Sequence, residues 1–112
     1  MSVSLQINYR DSNHQARLVP IATEQDFEKY WLPLCSKLDL EWISFFQSGL
    51  PLAKDNISLV VKELTSLKRF LSTPSNSDLP NDVSIYIVRR TDNLLVELKQ
   101  IQKTPGLEAY IS

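Results

Sequence analysis

The stretch from Leu38 to Leu52, LDLEWISFFQSGLPL, crowds Trp42, Ile43, Phe45 and Phe46 between a Leu-Asp-Leu lead-in and a Ser-Gly exit. Aromatic and β-branched residues bounded by Gly49 and Pro51 read as a strand over Glu41 to Gln47, apolar on both faces. Side chains alternate along a strand, so Trp42 and Phe46 would point inward with Leu40, and Ile43 and Phe45 outward. The chain must then cover two faces. Its own helices can take one. A loop such as Ser72 to Asp82, a second copy or a foreign protein has to take the other, because a large apolar patch is rarely left in water.

The flanking segments supply those helices. Val3, Leu5, Ile7 and Tyr9 alternate with Ser4, Gln6, Asn8 and Arg10, the period-two signature of a half-buried strand. Asp11-Ser12-Asn13-His14 offers turn chemistry, and Gln15 to Val19 returns as the second strand of a hairpin. Thr23 is placed to cap a helix, with Asp26 three residues on and acidic residues where the helix dipole favours them. That helix runs to about Lys37 and carries Phe27, Tyr30, Trp31, Leu34 and Leu38 on one stripe. Pro33 predicts a kink or short break near Lys29 to Pro33.

Asp55 is a candidate N-cap for a second helix reaching Leu71, with Ile57, Val60, Val61, Leu64, Leu67 and Leu71 on its apolar face and Lys62, Glu63, Ser66 and Arg69 away from it. STPSNSDLPND, from Ser72 to Asp82, is a surface loop. Val83 to Lys103 then reads as one long helix with Val83, Ile87, Leu94, Leu98 and Ile101 inward. Ile85 and Val96 fall off that stripe, so a strand over VSIYIVRR followed by a helix is the alternative. Pro105-Gly106 ends the helix and LEAYIS returns as a short strand. The expected class is α+β: an N-terminal hairpin, a central strand and a short C-terminal strand packed against three helices, in a single domain over residues 1–112.

Composition bounds what such a domain can do. At 112 residues the chain can bury roughly two-thirds of the surface it exposes unfolded. Twelve basic against 13 acidic residues give a formal charge of -1, which supplies no general attraction to nucleic acid or anionic lipid. Two glycines leave little for a phosphate-cradling loop. No apolar run approaches the roughly 20 residues of a membrane span, and the N-terminus lacks the features of a signal peptide. With one cysteine, Cys35, no intrachain disulfide can form. These observations place the protein in the cytoplasm, with no membrane or nucleic-acid partner.

Chemistry-bearing residues are sparse. His14 is the sole histidine, so neither a nucleophile with its base nor an imidazole-rich zinc site can be assembled without unusual partners. Cys35, on or beside an apolar stripe, reads as a small hydrophobe. Glu24 and Glu28 are one helical turn apart, but a catalytic metal needs further convergent ligands. No catalytic residue, cofactor or metal is therefore expected. Lys68-Arg69 fits a helix C-terminus. Arg89-Arg90 has no such explanation: Arg89 should face water, and Arg90 could reach Glu63, Glu97 or an acidic group on a partner.

The layout combines an N-terminal hairpin, a Trp- and Phe-bearing segment before a helix containing Glu63-Leu64 and Leu67, and a final long helix ending in a strand. It resembles the small immunity proteins of bacterial contact-dependent and polymorphic toxin systems. The resemblance implies a cytoplasmic protein that binds a cognate toxin domain and occludes its active site. The chain departs from the strongly acidic members that neutralise basic nucleases, so a nuclease partner is not implied. The expectation is a non-enzymatic protein-binding module, with Trp42, Ile43, Phe45, Tyr86, Arg89 and Arg90 as partner-binding residues, since binding hot spots favour Trp, Tyr and Arg. A self-associating structural or adaptor protein, pairing as a homodimer through Ile43, Phe45 or a strand edge, is the alternative. A small enzyme of unknown reaction is the third.

Overall fold

Strand β1 (Ser2–Tyr9) forms as the alternation predicts, with Val3, Leu5 and Ile7 buried beneath the sheet. The computed structural model describes residues 2–9, 16–73, 79–104 and 106–112. The predicted turn with His14 lies outside the described residues, as does the middle of the Ser72–Asp82 loop. β1 pairs antiparallel with β2 (Arg17–Thr23), in a register that sets Leu5 opposite Val19 and Gln6 opposite Leu18. The hairpin strand thus extends past Pro20 to Thr23, further than the sequence suggests.

The C-terminal strand β4 (Leu107–Ile111) lies on the other side of β1, and β3 (Leu50–Leu52) pairs with β4, giving an antiparallel sheet in the order β2-β1-β4-β3. Helices cover one face of it, so the class is α+β as expected. The central strand, however, is not where the sequence puts it. Glu41–Ser44 is a short helix, α3, and residues 45–48 turn; the strand is the three-residue β3 that follows. In the helical conformation Ile43 and Phe46 both reach the core and are fully buried, and Phe45 alone stays exposed. Gly49, with φ +108, makes the exit that a residue with a Cβ would adopt only under strain.

Thr23 caps the first helical run as predicted, its hydroxyl accepting the Asp26 N–H at 3.0 Å. The run comprises α1 (Glu24–Asp26), a widened π turn at Phe27–Trp31, and α2 (Leu32–Leu38). The interruption expected from Pro33 takes this form: the Leu32 N–H reaches back to the Phe27 carbonyl, and Pro33, with no N–H, cannot extend that ladder. The run ends at Asp39, whose left-handed φ of 58 lets the Leu40 N–H bond the Cys35 carbonyl.

Helix α4 (Lys54–Leu71) begins one residue before Asp55, and its N-cap is Ala53: the Asn56 side chain accepts the Ala53 N–H at 2.7 Å. Helix α5 (Asn81–Lys103) is continuous, so the strand-then-helix alternative for VSIYIVRR is excluded. α4 and α5 pack against each other through Ile57, Val60, Leu64 and Leu67 on one and Ile87, Leu94, Leu98 and Ile101 on the other, all buried.

Among these apolar residues sits Thr91, wholly buried, with a hydroxyl that has no hydrogen-bond partner. Thr65, Thr73 and Thr104 each bond the carbonyl four residues back; Thr91 does not. A buried unsatisfied hydroxyl costs about 1–3 kcal/mol, and valine has nearly its shape. Thr91→Val should therefore raise the denaturation midpoint by about 1 kcal/mol in stability terms, and a lower midpoint would contradict this account of the site.

Candidate functional site

The residues expected to bind a partner divide between two elements. Trp42, Ile43 and Phe45 belong to α3 and the turn after it, while Tyr86, Arg89 and Arg90 lie on the first half of α5. Ile43 is removed from the candidate surface by its burial. Trp42 is half-buried against the core, and Phe45 remains open to solvent. The reason is backbone conformation: a helical turn places residues 42, 43 and 46 on the side facing α4, where an extended segment would have turned Ile43 outward.

α3 is held there by a group the sequence assigned to solvent. Glu63 of α4 accepts the Trp42 N–H at 3.2 Å and the Ile43 N–H at 3.0 Å, one with each carboxylate oxygen. Leu40, at the N-cap position, has no side chain able to do this. Cys35 lies close enough to feel the same carboxylate. Burial, with a further contribution from Glu63, pushes its thiol from 9.0 up to about 12. The thiol therefore stays protonated in the folded chain while the unfolded chain ionises, so stability falls as pH rises between about 9 and about 12. Replacing Cys35 with alanine should remove that part of the pH dependence, measured by denaturation across this window. Native Cys35 should also alkylate with iodoacetamide far more slowly than in denaturant; equal rates would contradict its inertness.

On α5 the side chains are differently arranged. Arg90 donates to the Tyr86 hydroxyl at 2.6 Å, stacks its guanidinium over the Tyr86 ring, and donates to the Pro20 carbonyl of β2 at 3.3 Å. Neither Glu63 nor Glu97 is its partner; Glu97 instead pairs with Arg17. Arg89 faces solvent as expected.

Sequence reasoning missed Leu18, Ile85 and Val96 as candidates. With Tyr86 they are four of the seven exposed large apolar side chains among the described residues. Ile85, Tyr86, Arg89, Asn93 and Val96 recur at helical spacing on the outward side of α5. Leu18 and Val96 meet along a groove of about 420 Å³ between β2 and α5. A signal was present: Ile85 and Val96 fall off the inward stripe, and in a continuous helix such residues can only face outward. Arg17 and Glu97 line the groove beside Leu18 and Val96, charged residues flanking apolar ones as is common at protein interfaces.

The other concave regions differ in their ionisable lining. A cavity of about 640 Å³ lies between the start of α4 and β4, where Lys54 is the one ionisable side chain among the described lining residues. A cleft of about 430 Å³ between the π turn and α5 is lined by Asp26, Tyr30, Asp82 and Tyr86 among apolar residues. Glu24 and Glu28 converge on the amide of Gln47, at 3.4 and 2.9 Å. No group of three or more His, Cys, Asp or Glu among the described residues could hold a metal ion, and no helix among them is long and apolar enough to cross a membrane. Comparison with protein-family models, with curated proteins and with solved structures finds no match to this chain.

Proposed function

We propose that this chain is a non-enzymatic protein-binding module whose docking face is the outward side of α5 with the adjoining strand β2. The observation that carries the reading is the concentration of exposed apolar side chains there: Leu18, Ile85, Tyr86 and Val96. Tyr86 and Arg89 are the residue types that anchor interfaces. Arg90 holds the Tyr86 ring and ties α5 to β2, which lowers the ordering cost of binding. The layout resemblance makes the partner a cognate bacterial toxin domain, and the protein an immunity protein acting in the cytoplasm by occlusion of that domain.

Affinity capture tests both levels, with the product of the neighbouring reading frame as the bait and a toxin domain as the expected product. Ile85→Asp combined with Val96→Asp changes two exposed positions, so the fold should persist while retained partner falls at least about tenfold, one unit of 1.4 kcal/mol. Undiminished capture by this variant would remove the α5 face from the proposal. Sedimentation of the chain alone as a stable dimer at low micromolar concentration would favour the self-associating alternative.

A further inference from the structure

Among the described residues the open sheet ends in two unpaired edges, β2 and β3, and an unpaired edge is a template for a strand of another chain. Both edges contain a proline, and both prolines have their carbonyls engaged from outside the sheet. Arg90 Nη1 donates to the Pro20 oxygen at 3.3 Å, and Asn56 Nδ2 donates to the Pro51 oxygen at 2.8 Å. The nitrogen and oxygen of one strand residue point to the same side. Pro20 therefore faces the free edge with no hydrogen to donate and with its acceptor taken.

Alternation makes Leu18 the next edge-facing residue, and its side chain is 66% exposed. The Arg17–Glu97 pair bridges to α5 on its far side. Two struts from α5, at Glu97 and Arg90, thus bracket the Leu18 position of the edge. β3 is only three residues long, and Pro51 with Asn56 closes it.

We propose that Pro20 and Arg90 form a gate that prevents β2 from pairing antiparallel with β2 of a second copy of this chain. A second copy is the occupant that this edge would recruit. Two-fold pairing centred on Leu18 would bring two exposed leucines together, so the apolar attraction is present and only the hydrogen bonds are withheld. The inference does not depend on the docking face of α5 or on the identity of any partner.

The test is sedimentation velocity of the full chain, with amide hydrogen exchange read at Leu18. The wild type should remain monomeric throughout the micromolar range with a fast-exchanging Leu18 amide. Pro20→Val combined with Arg90→Ala should dimerise and slow Leu18 exchange at least about tenfold in a concentration-dependent way. A folded double variant that stays monomeric overturns the gate, and so does a wild-type dimer whose Leu18 amide is protected. Should that variant fail to fold, Pro20→Ala combined with Arg90→Leu, which keeps an apolar side chain against Tyr86, carries the test: concentration-dependent protection at Leu18 supports the gate, and its absence in the folded variant overturns it.

Discussion

Trp31→Ala should remove about 3–5 kcal/mol of stability, the range for truncating a buried large aromatic. Trp31 is fully buried and stacks on Phe27, with ring centroids 5.9 Å apart and planes 18° from parallel. Phe27 in turn stacks on Phe46 at 6.4 Å. The three rings join the π turn to the turn after α3, so one truncation loosens both segments. A domain of this size has a total stability of about 5–15 kcal/mol, so the loss would be a large share of it. The void would open towards the cleft lined by Tyr30 and Tyr86; water can enter it, which places the cost at the lower end of the range. Trp31→Phe retains a ring and should cost less than half as much. Urea denaturation gives the midpoints, and near-UV circular dichroism reports the stack directly. A Trp31→Ala loss below about 1 kcal/mol, the size of a typical substitution, would show that the rings are not tightly packed.

Phe46 also shows where the sequence was legible and where it was not. Long periodic segments declared themselves: the alternation of β1, the stripe of α4 and the stripe of α5 are each set by side chains a few residues apart. Thr23 and Pro33 likewise act on their own neighbourhood, and both the cap and the interruption appear where those residues put them. The run EWISFF misled because its residues favour strands locally while its conformation is decided from a distance. Isolated helical turns of four residues are unstable, since nucleation fixes several torsions for few hydrogen bonds. α3 exists because α4 brings Glu63 to its first amides, an interaction across 20 and 21 residues that no local pattern announces.

The candidate surface was half legible for a related reason. Tyr86 and Arg89 could be chosen on residue type and sit on an exposed face. Ile85 and Val96 were visible only as violations of the α5 stripe, and a violation has meaning only once the element is known to be helical. Leu18 reaches the same face through the packing of β2 beside α5, tied by Arg90 to Pro20, which are 70 residues apart. Arg90 was sorted with the partner-binding residues because arginine favours interfaces. Its hydrogen bonds are internal, and they hold Tyr86 and β2 in place.

Glu63→Ala should cost about 2–3 kcal/mol, less than two full charge-assisted hydrogen bonds at about 1.5–3 kcal/mol each because the site is only half-buried. Loss of the carboxylate leaves the Trp42 and Ile43 amides without a partner at the start of a helix that has no cap of its own. Glutamine distinguishes capping from simple packing. It has nearly the volume of glutamate, but its amide can present only one oxygen, and its NH2 group would face the second backbone N–H as donor against donor. Glu63→Gln should therefore lose more than half of what alanine loses, with the Trp42 and Ile43 amides exchanging faster while those of β1 and β4 stay protected. If glutamine matched the wild type, packing volume rather than the paired acceptors would be holding α3, and the helical conformation of EWIS would need another cause. Because Ile43 and Phe46 enter the core through that conformation, its release would also turn apolar side chains towards water. The residue that makes this segment helical is thus the one that keeps it from becoming the sticky strand its composition suggests.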